Sequence, residues 1–363
     1  MIKQHIAIVI HDFNAGGTEA IAFRLAGEWL KKGRRVTIIA GALDGPMRER
    51  VPQGADIVVL DPPIPRSALS RLRLGEGMIP ALAKAKPDLV FIPGNFHFIL
   101  AHAIRQHFPN LPIVAKVSNP LLPPLPGPLR TAAGMAVRWL AAPINRLVYM
   151  SAELQAADSD VIGPDRSAIL AEPNLPQGYC PLPRHGPQHP PLILAIARME
   201  PQKNLALAIR AFAILLKKHD ARLLILGEGR DRAALEALVQ RLGIAEFVAM
   251  PGFASDIAEK LAQASLLLMT SRYEGFPAVL IEALAADVPV VSTNCSPSQK
   301  ALIASPLHGR VVDRSRADDL AAAMADVLAG PFASNGERAR GLERHASPAS
   351  ATSYLALFDS VTV

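Results

Sequence analysis

The sequence predicts an α/β protein of two domains, each built on a doubly wound parallel sheet. Three observations carry this. The chain has 363 residues, half of them hydrophobic, enough to bury two cores and too apolar for disorder. Short apolar, β-branched runs alternate with helical patterns along nearly the whole length. Between Leu175 and Pro187 the prolines come too densely for strand or helix, and the alternation resumes beyond them.

In the first half the strand candidates are Ile6–Ile10, Val36–Ala40, Ile57–Leu60, Leu89–Ile92, Ile113–Val117 and a weaker run at Ile169–Ala171. The second half offers Leu192–Ala197, Arg222–Leu226, Phe247–Met250, Leu266–Thr270, Val288–Ser292 and a short Arg310–Val312. Helices are expected at Thr18–Lys32, closed by Gly33, then at Asn204–His219, Arg230–Leu242 before Gly243, Ala278–Ala285 and Ala317–Leu328. An apolar and basic helix follows the proline-rich segment Pro120–Pro128, at Leu129–Leu140, and a last one is expected at Pro348–Val361. The expected organisation is a first domain over 1–175, a linker over 176–191, a second domain over 192–345 and a final helical segment over 346–363. Two open sheets facing each other would leave a cleft along their carboxyl strand ends, where such folds bind ligands.

Composition narrows the function. Cys180 and Cys295 lie far apart in no metal-ligand spacing, which suits a reducing compartment and argues against a disulfide framework or a zinc site. The apolar run Ile6–Ile10 is too short for a signal peptide and reads as a first strand. No run approaches the roughly 20 apolar residues of a membrane span. The net charge is +6, and all of the excess lies in the first half. Residues 61–150 alone hold 10 basic residues against 3 acidic ones. With aromatics at 5% and no zinc-knuckle or RNP-like run, nucleic acid is not the expected partner. An anionic membrane surface or an anionic substrate suits the charge better.

Three stretches carry chemistry. In Ser271-Arg272-Tyr273-Glu274-Gly275-Phe276-Pro277-Ala278 a strand ends, a turn follows and a helix starts, so its first amides can hold phosphate or sugar oxygens. Glu274 and Glu282 lie eight residues apart there, and a carboxylate can accept hydrogen bonds from a vicinal hydroxyl pair. Two isolated glutamates would more simply be a solvated helix residue and a dipole partner. In Arg198-Met199-Glu200-Pro201-Gln202-Lys203-Asn204 two cations flank a loop at a strand end, before a helix capped by Asn204. They could neutralise a diphosphate leaving group without a metal, although surface charge alone would explain them equally well. In His11-Asp12-Phe13-Asn14-Ala15-Gly16-Gly17-Thr18-Glu19 two glycines between strand and helix let backbone approach a phosphate. No Walker lysine follows, and the dinucleotide fingerprint is incomplete. Gly227-Glu228-Gly229 after another strand is similarly weak by itself.

Taken in order, these pieces resemble glycosyltransferase family 4, a large retaining family with the GT-B fold, over nearly the whole chain. Gly16-Gly17-Thr18-Glu19 matches its glycine loop, and Arg198 and Lys203 in ILAIARMEPQKNLALAIRAF match its phosphate-binding Arg and Lys. LLILGEGRDRAALEALVQRLGI, with Gly227, looks like the strand, turn and helix that border the nucleotide. MPGFASDI, with Gly252 and Phe253, looks like the base-contacting loop. SRYEGFPAVLIEALAADVPVVST, with Gly275, Phe276 and Pro277, looks like the E-x7-E region. The resemblance implies that Glu274 contacts the donor sugar and Glu282 the ribose hydroxyls. It implies an acceptor-binding first domain, a donor-binding second domain, a final helix returning to the first, and front-face transfer from a nucleotide sugar. No cofactor or metal is expected. UDP-sugars are the first choice of donor and GDP-mannose the second, with a glycan or lipid-linked glycan as acceptor. The expected place is the cytoplasm, with peripheral contact to an anionic membrane, Arg66, Arg71 and Arg73 adding charge to the segment 129–149.

The chain also departs from the family. Where many members carry a His after the fifth strand, it has Lys116-Val117-Ser118-Asn119-Pro120, so Asn119 or Ser118 is left to take that place. His97 is a weaker substitute. After Val288–Ser292, Asn294-Cys295-Ser296-Pro297-Ser298-Gln299-Lys300 replaces a glycine-rich turn ending in Glu. Rival readings are a nucleotide-sugar epimerase or phosphorylase of the same fold, and a catalytically silent binding subunit. Retention of Arg198, Lys203, Glu274 and Glu282 argues against silence.

Overall fold

The first apolar run forms β1 (His5–Ile10), buried along its whole length. It pairs in parallel with β2 (Arg35–Ala40) on one side and β4 (Leu89–Ile92) on the other. A strand buried on both faces needs no polar alternation, which is why this run is continuously apolar. The computed structural model describes every residue except Met1, Ala15, Ala68, 123–126, 176–188, Ser255, Arg314, Ala333, Asn335 and Val363. The linker expected at 176–191 therefore lies outside the described residues up to 188, as does Cys180. The chain divides into two units, residues 1–177 with 344–363, and residues 178–343.

The first unit holds a seven-stranded parallel sheet ordered β3-β2-β1-β4-β5-β6-β7. Its remaining strands are β3 (Asp56–Val59), β5 (Ile113–Lys116), β6 (Arg146–Tyr149) and β7 (Ser167–Ile169). The helices are α1 (Gly17–Lys31), α2 (Ser70–Gly77), α3 (Ile79–Ala85), α4 (Leu100–His107), α5 (Gly127–Ala141) and α6 (Ala152–Ala157). Strand order reverses between β1 and β4, so loops after those strands meet at the switch point where ligands bind such sheets. Gly33, at φ +79°, turns the chain out of α1 into β2.

The second unit holds a six-stranded parallel sheet ordered β10-β9-β8-β11-β12-β13. The strands are β8 (Leu192–Ile196), β9 (Arg222–Leu226), β10 (Val248–Gly252), β11 (Leu266–Met269), β12 (Val290–Thr293) and β13 (Gly309–Val312). The helices are α7 (Leu205–Leu215), α8 (Arg232–Arg241), α9 (Ile257–Gln263), α10 (Ala278–Ala285), α11 (Gln299–Leu302) and α12 (Ala317–Leu328). Ile193, Phe212, Leu268, Leu320 and Met324 are among the buried residues of its core. The last helix, α13 (Ser347–Ser360), belongs to the first unit and packs on α1, with Tyr354 and Phe358 against Trp29 and Phe91.

The structure adds one strand that the sequence does not predict and corrects two expectations. α5 ends at Ala141, Pro143 follows, and Arg146–Tyr149 forms β6 between β5 and β7, its β-branched and aromatic residues outweighing the amphipathic pattern. Asn204 does not cap α7 with its side chain. It adopts the left-handed conformation at φ +51°, which Asn tolerates better than most residues, and Thr270 Oγ1 sits 3.1 Å from its carbonyl. α7 also stops at Leu215, one turn short of His219, where Lys217, Lys218 and His219 leave no apolar face to bury.

Candidate functional site

In the second unit, loops at the carboxyl ends of β8, β9, β11 and β12 are tied to one another. The close approach of the first two requires glycine. At Gly227 (φ +137°) a Cβ would lie 2.1 Å from the Ala197 carbonyl oxygen, and at Gly229 (φ +158°) 2.4 Å from that of Met199. Backbone contact is the consequence: Met199 N–H donates to the Glu228 carbonyl at 2.8 Å. Gly252, at φ +98°, sits beside the Glu228 carboxylate, which Arg232 holds at 2.7 and 2.9 Å. Phe253 next to it is 77% exposed, a free aromatic face.

The β8 and β11 loops bring together two residues 71 positions apart. Lys203 Nζ donates to Glu274 Oε1 at 2.5 Å, and both side chains are largely buried. Their backbones are joined as well. Arg272 N–H donates to the Gln202 carbonyl at 2.8 Å, and Gln202 Nε2 to the Tyr273 carbonyl at 2.9 Å. Arg198 is exposed and has no ion-pair partner among the described residues. Gly275 and Pro277 are buried and Phe276 is half-buried, in the turn that leads into α10. Glu282, half-buried, projects from the second turn of that helix. Cys295 is buried beside this loop, and burial first, then the Glu274 charge, pushes its thiol up to about 12, so it stays protonated and inert.

In the first unit, Asp12 and Glu19 flank the glycine loop. Arg66 bridges them, with Nε 2.5 Å and Nη2 3.0 Å from Asp12 oxygens and Nη2 3.5 Å from Glu19. Burial alone would raise the Asp12 carboxyl, but Arg66 and the Asn14 amide outweigh it and hold it below its usual value. Burial does raise Glu19. The Glu19 carboxylate folds over Gly16, where a Cβ would meet Oε2 at 2.3 Å, while at Gly17, which opens α1, a Cβ would meet nothing within 4 Å. Arg66 is therefore not the free surface charge the sequence suggested, because two buried carboxylates claim it.

Asn119 is half-buried, and its carbonyl accepts from Asn95 Nδ2 at 2.7 Å. Asn95 Oδ1 in turn accepts from Ser118 N–H at 2.6 Å. A Cβ on Gly94 would touch Thr18 at 2.9 Å and Ser118 Oγ at 3.1 Å, so the first turn of α1 lies against this loop. His97 is buried 6.3 Å from the His11 ring, and burial, then the charges near it, push it down to about 4. It is neutral and part of the packing. The contacts of Asn95 with Ser118 and Asn119 and of Arg66 with Asp12 are not legible in the sequence, since a lone Asn or an Arg 54 residues from its partner carries no periodic signal.

Among the described residues no three His, Cys, Asp or Glu side chains gather in a metal-binding arrangement, and no helix is long and apolar enough to cross a membrane.

The sequence profile described as Glycosyltransferase Family 4 matches residues 15–174, and that described as Glycosyl transferases group 1 matches residues 184–345. The chain belongs to glycosyltransferase family 4. An exopolysaccharide phosphotransferase of Streptomyces coelicolor is 30% identical over 206 residues, 56% of this chain and 22% of that protein. An N-acetylgalactosamine-N,N'-diacetylbacillosaminyl-diphospho-undecaprenol 4-alpha-N-acetylgalactosaminyltransferase of Campylobacter jejuni is 37% identical over 121 residues, 33% of each chain. The chain thus aligns with a third or less of the length of these relatives. A variant of S. aureus TarM, solved with fondaparinux, alpha-GlcNAc-glycerol and UDP, superposes with a TM-score of 0.76 at 14% identity, covering 98% of this chain and all of that one. Two parallel-sheet α/β units with such neighbours define the GT-B fold.

Proposed function

We propose that the protein is a retaining, metal-independent glycosyltransferase that moves a hexose or N-acetylhexosamine from a nucleoside-diphosphate sugar to a glycan or lipid-linked glycan. The observation that carries this is the Lys203–Glu274 pair, with Arg198 in the same loop as Lys203, exposed and without an ion-pair partner among the described residues. Glu274 uses one oxygen on Lys203 and keeps the other for a sugar hydroxyl, while Lys203 keeps two N–H groups for phosphate. Arg198 and Lys203 stabilise the charge that grows on the departing diphosphate. Glu282 holds the ribose, and Phe253 offers its face to the base. The bond from the anomeric carbon to the diphosphate breaks while the bond to the acceptor oxygen forms on the same face. The acceptor proton passes to the leaving diphosphate oxygen, so no protein nucleophile is needed. Cell-surface polysaccharide or lipopolysaccharide synthesis is the setting that the names of the relatives support, and the cytoplasmic side is where nucleotide sugars would meet it.

UDP-sugars are the preferred donors, in keeping with the UDP in the TarM complex. In thermal-shift assays with EDTA present, a UDP-sugar is expected to stabilise the protein more than GDP- or ADP-sugars. Transfer should proceed unchanged in EDTA. Activity abolished by EDTA and restored by Mg²⁺ or Mn²⁺ would defeat the assignment, as would release of free epimerised sugar without any acceptor.

Membrane contact is proposed through α5, whose Leu129, Met135 and Trp139 are more than half exposed. Arg130 is held by Asp160 at 2.7 Å, so the charge for anionic lipid falls to the exposed Arg71 and Arg73. Flotation with anionic vesicles at low salt should carry the protein upward and fade with added salt. Arg71→Ser with Arg73→Ser, or Trp139→Ser, should each weaken it severalfold. Equal behaviour with neutral and anionic vesicles would leave an enzyme without lipid contact.

A further inference from the structure

The turn after β12 consumes its own backbone donors. Gln299, fully buried, accepts at Oε1 the N–H of Cys295 at 2.9 Å and of Ser296 at 3.2 Å, and its Nε2 donates to Ser292 Oγ. Ser298 N–H goes to Ser296 Oγ at 3.3 Å. Three amides at a carboxyl strand end, where a phosphate could have been received, are thus met by neutral side-chain oxygens. The sequence leaves open that this backbone reaches the diphosphate, but these amides are already engaged.

What the turn still offers is directed at the Glu274 loop. The Cys295 carbonyl accepts Glu274 N–H at 2.7 Å, Ser296 Oγ donates to the Gly275 carbonyl at 2.7 Å, and Thr293 Oγ1 donates to the Ser271 carbonyl at 2.7 Å. Ser292, Thr293, Ser296 and Gln299 are all buried, so these bonds are shielded from competing water. Glu274 is therefore held through its own N–H, and the residue after it through the Gly275 carbonyl, by a turn that Gln299 holds in shape.

We propose that Ser296 and Gln299 are positioning residues that fix the Glu274 carboxylate for the donor sugar, and that this turn does not bind the diphosphate through its amides. The inference rests on the donor-site reading above for the role of Glu274, but the grip itself can be tested apart from it. Ser296→Ala should lower the kcat of UDP-sugar turnover about tenfold, the size of one well-placed hydrogen bond felt in the transition state. The stabilisation conferred by UDP alone should stay at the wild-type value, because UDP lacks the sugar. Gln299→Leu should behave in the same way, because it removes the acceptor that both amides share. Glu282→Ala is the contrasting control, losing the UDP effect through the ribose. A turn that merely supported the fold would lose kcat, UDP stabilisation and melting temperature together, and that result would overturn the proposal. So would wild-type kcat in Ser296→Ala. Hydrogen exchange supplies the second measurement. Peptides covering residues 272–276 should exchange severalfold faster in Ser296→Ala, with peptides from β8 unchanged. If no UDP-, GDP- or ADP-sugar is turned over by the wild type, the donor reading fails, and unchanged exchange at 272–276 would sink the positioning claim separately.

Discussion

Lys203→Ala and Arg198→Ala are each expected to lower kcat about a hundredfold or more, the usual cost of removing a group aimed at charge that develops in the transition state. The two variants should nevertheless differ. Arg198 is exposed and unpaired among the described residues, so its removal strands no partner and should leave the melting temperature within about 1 °C of wild type. Lys203 lies 2.5 Å from Glu274, whose side chain is only 12% exposed. Its loss leaves a largely buried carboxylate without its cation, so Lys203→Ala should also lower the melting temperature. Adding Glu274→Gln to Lys203→Ala should recover that stability without recovering kcat. Steady-state turnover and thermal melts on the same preparations separate the effects. Near wild-type kcat in both single variants would show that neither cation faces the leaving group.

The parts of the site that were legible in the sequence are those where one residue type answers a local need. Gly227, Gly229 and Gly252 stand at positive φ against neighbouring atoms, and such glycines cluster visibly at strand ends. The cation and the carboxylate of the Lys203–Glu274 pair could be named from the family pattern, but their contact across 71 residues is a product of sheet order. What stayed hidden depends on partners brought in by the fold. Arg66 reads as surface charge until Asp12 and Glu19 converge on it. Gln299 reads as a polar residue at a short helix start until its side chain is seen to cap two amides. Arg338 gives no sequence signal at all, yet it is 2% exposed and donates to the carbonyls of Leu307, Pro331, Phe332 and Asp287. A side chain satisfied by carbonyls leaves no trace of its partners in residue type. β6 is hidden for another reason: its four residues are too few for a period to distinguish strand from helix.

Phe358→Ala should strongly destabilise the first unit. Phe358 has no exposed surface and its ring lies 5.1 Å from Trp29, 5.7 Å from Phe91 and 6.0 Å from Tyr354, all themselves fully buried. Truncating a buried Phe costs about 3–5 kcal/mol through lost transfer energy and the cavity left behind. In a unit of this size that corresponds to a melting shift on the order of 10 °C. The polar contacts of α13 cannot offset it, since the Arg34–Asp359 pair at 2.7 Å sits at its end and remains partly solvated. The helix follows the second unit in the chain, so its docking on α1 is what keeps residues 344–363 part of the first. The chain has two tryptophans, and Trp139 is exposed whereas Trp29 is buried beneath α13. In a Trp139→Phe background Trp29 alone reports, and Phe358→Ala should shift its emission to the red at temperatures well below the wild-type transition. Phe358→Leu, which refills most of the volume, should recover much of the loss. A melting temperature within about 2 °C of wild type, with Trp29 emission unchanged, would mean that the aromatic cluster does not hold the C-terminal helix.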